Sequence, residues 1–266
     1  MRPRSIAALA AIGAATLVLL PMQMAALRFL PGLAARIPRL WHRIALAALG
    51  IRVTVRGAPS ANQPLFLVSN HISWTDIPVL GSLLPLSFIA KSEVSGWPGV
   101  GHLARMQRTV FVEREARSRT GRQAGEIAAR LVEGDTMVLF AEGTTSDGNY
   151  IYPFRTALFG AAQQALRDSD AESVAIQPVA IAYVGLQGMP MGRYHRSLIA
   201  WPGDVALGPH LKGVLDEAAI DVIVSFGEAI VFDASTVRKS AARDAEASVR
   251  ALFENALRTS SPVWRR

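Results

Sequence analysis

The sequence of 266 residues contains no cysteine. That excludes disulfides, thiolate metal sites and a cysteine nucleophile, and it fits a reducing compartment. Acidic side chains are missing from the first 75 residues: the first carboxylate is Asp76. That stretch also lacks lysine, yet holds eight arginines, at positions 2, 4, 28, 36, 39, 43, 52 and 56. Of the 28 lysines and arginines, 20 therefore remain to balance 21 acidic residues, so the net charge of +7 resides in the N-terminal part and the body is near neutral. Equally absent are G-x-S-x-G, H-E-x-x-H and phosphate-loop motifs, which leaves serine-hydrolase, zinc-protease and NTPase chemistry without their residues.

The basic excess suits either nucleic acid or an anionic membrane surface. Here it is interleaved with apolar helix rather than with base-stacking aromatics, which points to a membrane bilayer and to no nucleic-acid partner. Ser5 to Leu27 runs without a charge, roughly 34 Å if helical and enough to cross a ~30 Å hydrocarbon core. Pro21 and Gln23 weaken its last turns, and arginines flank it on both sides, so the positive-inside rule gives no direction. Three arrangements fit: one spanning helix, a helical hairpin with residues 40–49 as its second arm, or a cleaved signal peptide. The expectation is a membrane anchor at 1–50, its basic flanks on the cytoplasmic leaflet of the inner membrane, and a catalytic domain at 51–266 on the cytoplasmic face.

From residue 51 apolar runs of strand length alternate with amphipathic runs of helical period, which predicts an α/β fold: a mixed, mainly parallel sheet flanked by helices. Strands are expected near 51–56, 64–69, 86–90, 108–112, 136–140, 174–183, 197–201 and 220–226. Helices are expected near 74–84, 98–106, 117–133, 155–167, 206–214 and 236–258. No repeat or long linker interrupts this pattern, so one site is sought.

The strand at 64–69 ends in Ser69-Asn70-His71-Ile72-Ser73-Trp74-Thr75-Asp76. The C-terminal ends of buried strands are where α/β sheets place their sites. On one helix, residues five apart lie about 140° apart, which disfavours a shared metal. With His71 in a loop and Asp76 in the first turn of the next helix, however, the carboxylate can accept from one ring nitrogen and leave the other basic. Alone, such a pair is more often a loop histidine and a helix cap. His42 and His195, set among arginines, look interfacial, and His102 lies in a predicted helix away from this pair.

Asn70-His71-x4-Asp76 resembles the first motif of the glycerolipid acyltransferases of the 1-acylglycerol-3-phosphate acyltransferase type, and three further blocks follow in that family's order. Phe111-Val112-Glu113-Arg114 resembles the second, Phe140-Ala141-Glu142-Gly143-Thr144-Thr145-Ser146 the third, and Val174 to Ala180 the fourth. The resemblance covers about residues 60–230. It implies that His71 takes the proton from a lysolipid hydroxyl that attacks an acyl thioester directly, and that Asp76 orients the imidazole. It also implies that Asn70, Arg114, Glu142, Gly143, Thr144 and Arg155 bind substrate. No metal or cofactor is expected, only an acyl donor on acyl carrier protein or coenzyme A. In the third block Thr145 stands where an arginine is usual. That departure, with Asp147-Gly148-Asn149 and Pro153 to Phe159, resembles the bacterial lyso-ornithine-lipid acyltransferases, whose acceptor has no phosphate. The expected acceptor is lyso-ornithine lipid, with lysophosphatidic acid as the alternative if Arg155 replaces the missing arginine. A non-catalytic membrane lipid-binding protein would need only the basic anchor and the apolar body.

Overall fold

The computed structural model describes residues 2–113, 120–203, 205–217 and 219–259. Arg114, expected to bind the head group, lies outside them.

Among the described residues, nine strands form one sheet. Its main path runs β1 (Ile51–Arg56), β8 (Ile220–Phe226), β6 (Val174–Leu186), β2 (Leu65–Ser69), β5 (Met137–Phe140), β3 (Ser87–Lys91), β4 (Val110–Val112). β7 (Met189–Pro190) and β9 (Ile230–Phe232) pair with β6 off this path. β2 pairs in parallel with β5 and β6, β3 with β4 and β5, and β1 with β8, while β6 and β8 run antiparallel. The mixed, mainly parallel sheet expected from the sequence is therefore present. Every residue of β2 is buried, as a central strand covered on both faces requires. α6 (Thr120–Val132) and α7 (Gly160–Arg167) pack on each other and against β4, β5 and β6, and α10 (Arg238–Thr259) lies along β6, β8 and β9.

Residues 197–201 do not form the expected strand. They follow the short helix α8 (Arg193–Arg196), and the amides of Ile199 and Ala200 turn back to the carbonyl of Arg196. Ile199 and Ala200 are buried, and Trp201 N donates to Ile72 O (2.9 Å) in the loop after β2. The apolar run that suggests a strand here serves a packed turn instead.

The N-terminal segment is a hairpin. α1 (Pro3–Phe29) continues through Pro21, and after α2 (Pro31–Ala34) the chain returns as α3 (Ile37–Leu49). Gln23 donates to Ala34 O (3.0 Å), Trp41 Nε1 to Thr16 Oγ1 (2.8 Å) and Arg4 to Leu49 O (3.0 Å), a register that makes the two arms antiparallel. α1 is also tied to the body near both ends. Arg2 and Arg4 donate to the carbonyls of Asp216 and Leu215 at the end of α9 (Leu207–Glu217), and Gln23 donates to Met106 O (2.8 Å) at the end of α5 (Val100–Met106). His42, expected at an interface, is instead buried against α4 (Asp76–Gly81), where a Cβ on Gly81 would stand 2.3 Å from its ring. His102 and His195 are exposed.

Candidate active site

The loop between β2 and α4 is held from three sides. Asn70 is fully buried and pairs with the backbone of Ile181 on β6: its Nδ2 donates to the carbonyl (3.0 Å) and its Oδ1 accepts from the amide (2.8 Å). Glu142, just past β5, accepts from the amide of His71 through Oε1 (2.6 Å) and from the amide of Tyr152 through Oε2 (2.6 Å). Ser146 N donates to His71 O (2.8 Å).

Asn70 and Glu142, substrate ligands by resemblance, are placed in the support of this loop: the amide of one and both carboxylate oxygens of the other are engaged by backbone, at 0% and 2% exposure. The reason is common to both: a loop buried at the end of a central strand must satisfy its own peptide groups.

His71 and Asp76 meet in the loop-and-first-turn arrangement. Asp76 opens α4, and its Oδ2 lies 2.8 Å from His71 Nδ1 while accepting from the amides of Ile72 (2.6 Å) and Ser73 (3.0 Å). Its other oxygen accepts from the hydroxyl of Tyr183 on β6 (2.8 Å). An ionised carboxylate only accepts, so Nδ1 carries the proton and Nε2 keeps its lone pair. The imidazole stacks on Phe140 with centroids 4.0 Å apart, and its side chain is 19% exposed against 0% for Asp76. The imidazole is reachable and its partner is dry.

Burial pushes the Glu142 carboxyl up to about 7, against the two amide donors that pull it down. The folded chain therefore binds this proton more tightly than the unfolded chain, whose carboxyl titrates near 4.5. The resulting stabilisation is full below that value and lost as the pH rises through 7. In chemical denaturation, the stability of the wild type relative to Glu142→Gln should fall by about 3 kcal/mol between roughly pH 4.5 and 8. A pH-independent difference would show that the fold holds the anion.

Two cavities lie beside this loop. The larger, about 400 Å³, is almost wholly apolar: Trp74 and Ile77 line it beside the dyad, with Phe88 of β3, Leu9 and Leu19 of the hairpin and Leu211 of α9. The smaller, about 100 Å³, is lined by Phe140, Gly143, Glu113 and Arg155 among others. His71 lines neither, but Phe140, on which its ring stacks, lines the smaller and lies parallel to Phe88 of the larger at 6.0 Å.

Of the remaining expected residues, Gly143 and Arg155 come together. Gly143 has φ of 76°, a conformation that favours glycine, and a Cβ there would stand 2.8 Å from Arg155 Cδ and displace the arginine side chain. Thr144 is half-buried beside Gly203. Thr145 is buried and donates to the carbonyl of Trp201, turned into the fold. Sequence reasoning missed Tyr183, whose one signal is a phenol in a strand otherwise rich in aliphatic residues, and His210, which accepts from Trp74 Nε1 (3.0 Å) and fixes that indole.

The acyltransferase family profile matches residues 52–182. The chain is 54% identical over 248 residues to the lyso-ornithine lipid O-acyltransferase of Brucella abortus (strain 2308), covering 93% of each chain. It is 48% identical over 246 residues to that of Rhizobium meliloti (strain 1021), covering 92% of this chain and 84% of the relative. The crystal structure of the 1-acyl-sn-glycerophosphate (LPA) acyltransferase of Thermotoga maritima shares the fold, with a TM-score of 0.60 at 22% identity over 83% of this chain and 78% of that one.

Proposed function

The chain belongs to the acyltransferase family, and on that premise we propose that it moves a fatty acyl group from a thioester to the hydroxyl of lyso-ornithine lipid at a membrane surface. The observation that carries the chemistry is His71 Nδ1 at 2.8 Å from a buried Asp76 that has three other donors. His71 Nε2 takes the hydroxyl proton as the acceptor oxygen attacks the thioester carbonyl. The ester C–O bond forms, the C–S bond breaks, and the proton passes to the leaving thiolate. Asp76 stabilises the imidazolium in between. The larger cavity, apolar and adjacent to the dyad through Trp74, suits the acyl tail.

The two relatives and the residues around the smaller cavity support the acceptor. Ornithine presents a carboxylate and an ammonium group. Arg155, exposed beside Gly143, supports contact with the carboxylate, while Thr145 offers a phosphate no cation. In vesicles with one donor, lyso-ornithine lipid should be acylated in strong preference to lysophosphatidic acid; the reverse preference would overturn the acceptor. Arg155→Ala should raise KM for lyso-ornithine lipid about ten- to a hundredfold and leave kcat nearly unchanged, the effect of losing a charged hydrogen bond in binding. Acyl carrier protein or coenzyme A would carry the donor.

The hairpin supplies the membrane contact. α1 is long and apolar enough to cross a bilayer, but its ties to α5 and α9 would draw those elements into the hydrocarbon with it. Lying in one leaflet avoids that cost. Leu17, Val18, Phe29 and Leu30 are exposed on the hairpin, with Arg28 and Arg36 exposed near its turn and Arg43 exposed on α3, the composition of an interfacial anchor on an anionic leaflet. The inner membrane, with the catalytic domain on its cytoplasmic face, fits that placement.

A further inference from the structure

We propose that Tyr183 is a positioning residue for acyl transfer, one that fixes the Asp76 carboxylate through Oδ1 so that Oδ2 stays turned to His71. This role rests on His71 and Asp76 acting as the base and its orienter.

Tyr183 is 1% exposed, on a strand whose neighbouring residues are apolar. A buried phenol requires a partner for its hydroxyl, and this one has two. Its O–H donates to Asp76 Oδ1 at 2.8 Å, and its oxygen lies 2.6 Å from Thr75 Oγ1. Burial, with the Asp76 charge beside it, holds the phenol well above its ordinary range, so it remains a donor. With the phenol proton committed to the aspartate, Thr75 donates to Tyr183. The hydrogen bonds then run in one direction, from Thr75 to Tyr183 to Asp76, and end on the carboxylate oxygen that His71 does not use. Thr75 is also fully buried, so water does not compete for the chain.

The arrangement matters because Asp76 Oδ2 already has three donors, while Tyr183 is the one donor to Oδ1 among the described residues. A carboxylate turns readily about its terminal torsion. Without the phenol, Oδ1 would be a buried anionic oxygen with no partner, and only the donors on Oδ2 would resist turning about that torsion, so the imidazole would be less firmly positioned. Tyr183 also draws negative charge toward Oδ1. Its removal leaves a carboxylate that holds the imidazolium more firmly, so the histidine becomes a free base only at higher pH.

The test uses full-length protein in vesicles with lyso-ornithine lipid and an acyl thioester. Tyr183→Phe should lower kcat about tenfold, change KM for either substrate little, and move the acid limb of kcat/KM up by about half a pH unit. Thr75→Val should move both quantities the same way, and Thr75→Ser, which keeps the hydroxyl, should restore them. A purely structural role would lower stability and leave the acid limb in place. Wild-type kcat and acid limb in folded Tyr183→Phe would overturn the proposal. If that variant fails to fold, an unchanged kcat and acid limb in Thr75→Val would do the same. Full activity in His71→Ala would instead sink the underlying reading, so the two failures are distinct.

Discussion

His71→Ala should transfer acyl groups about a hundred- to ten-thousandfold more slowly than wild type, the range a general base contributes, with KM for the lysolipid nearly unchanged. The variant should fold. The imidazole makes one side-chain hydrogen bond and one ring contact, and the loop is held through the backbone of residue 71, by Glu142 Oε1 at its amide and Ser146 N at its carbonyl. Neither of those contacts needs the imidazole. Loss of rate without loss of fold is therefore the specific signature, read from product formation alongside circular dichroism. Activity within a few-fold of wild type would remove His71 from the chemistry and favour a lipid-binding role.

Asp76→Asn should cost about a hundred- to a thousandfold in kcat, and the geometry identifies why. Three donors converge on Oδ2, so the asparagine carbonyl oxygen belongs there and the amide nitrogen falls beside Tyr183. Tyr183 can accept from that nitrogen by turning its own proton to Thr75, 2.6 Å away. The His71 tautomer is then preserved. What disappears is the charge that stabilises the imidazolium as the hydroxyl proton arrives. The acid limb of kcat/KM should move to lower pH, opposite to the shift expected for Tyr183→Phe. Asp76→Ala would leave four donors without an acceptor and should lose the fold as well as the rate. Wild-type turnover in Asp76→Asn would show that the aspartate only holds the loop before α4.

The dyad was legible in the sequence because both partners lie in one loop and one helical turn. The sheet was legible because its strands are short apolar runs separated by amphipathic helices. Tyr183 was not: it reaches Asp76 across 107 residues, through the parallel pairing of β2 with β6 that only the fold sets. Asn70 and Glu142 show the converse limit. Their motif positions are plain, but whether a polar side chain faces substrate or its own backbone depends on how a buried loop meets its hydrogen-bond needs. The same holds for 197–201, where an apolar run matched a strand and became a turn. The length of the apolar N-terminal run could not separate a span from a hairpin; the bonds from Arg4, Gln23 and Trp41 between the two arms make it a hairpin.

The most direct test of base-catalysed transfer without an acyl-enzyme is thiol release measured by rapid quench, first with acyl thioester alone and then with lyso-ornithine lipid added. Wild type should release almost no thiol until the acceptor arrives, and then one thiol for each ester formed, while His71→Ala does neither at a comparable rate. A burst of thiol before the acceptor is added, with the acyl group recovered on the protein, would contradict the account.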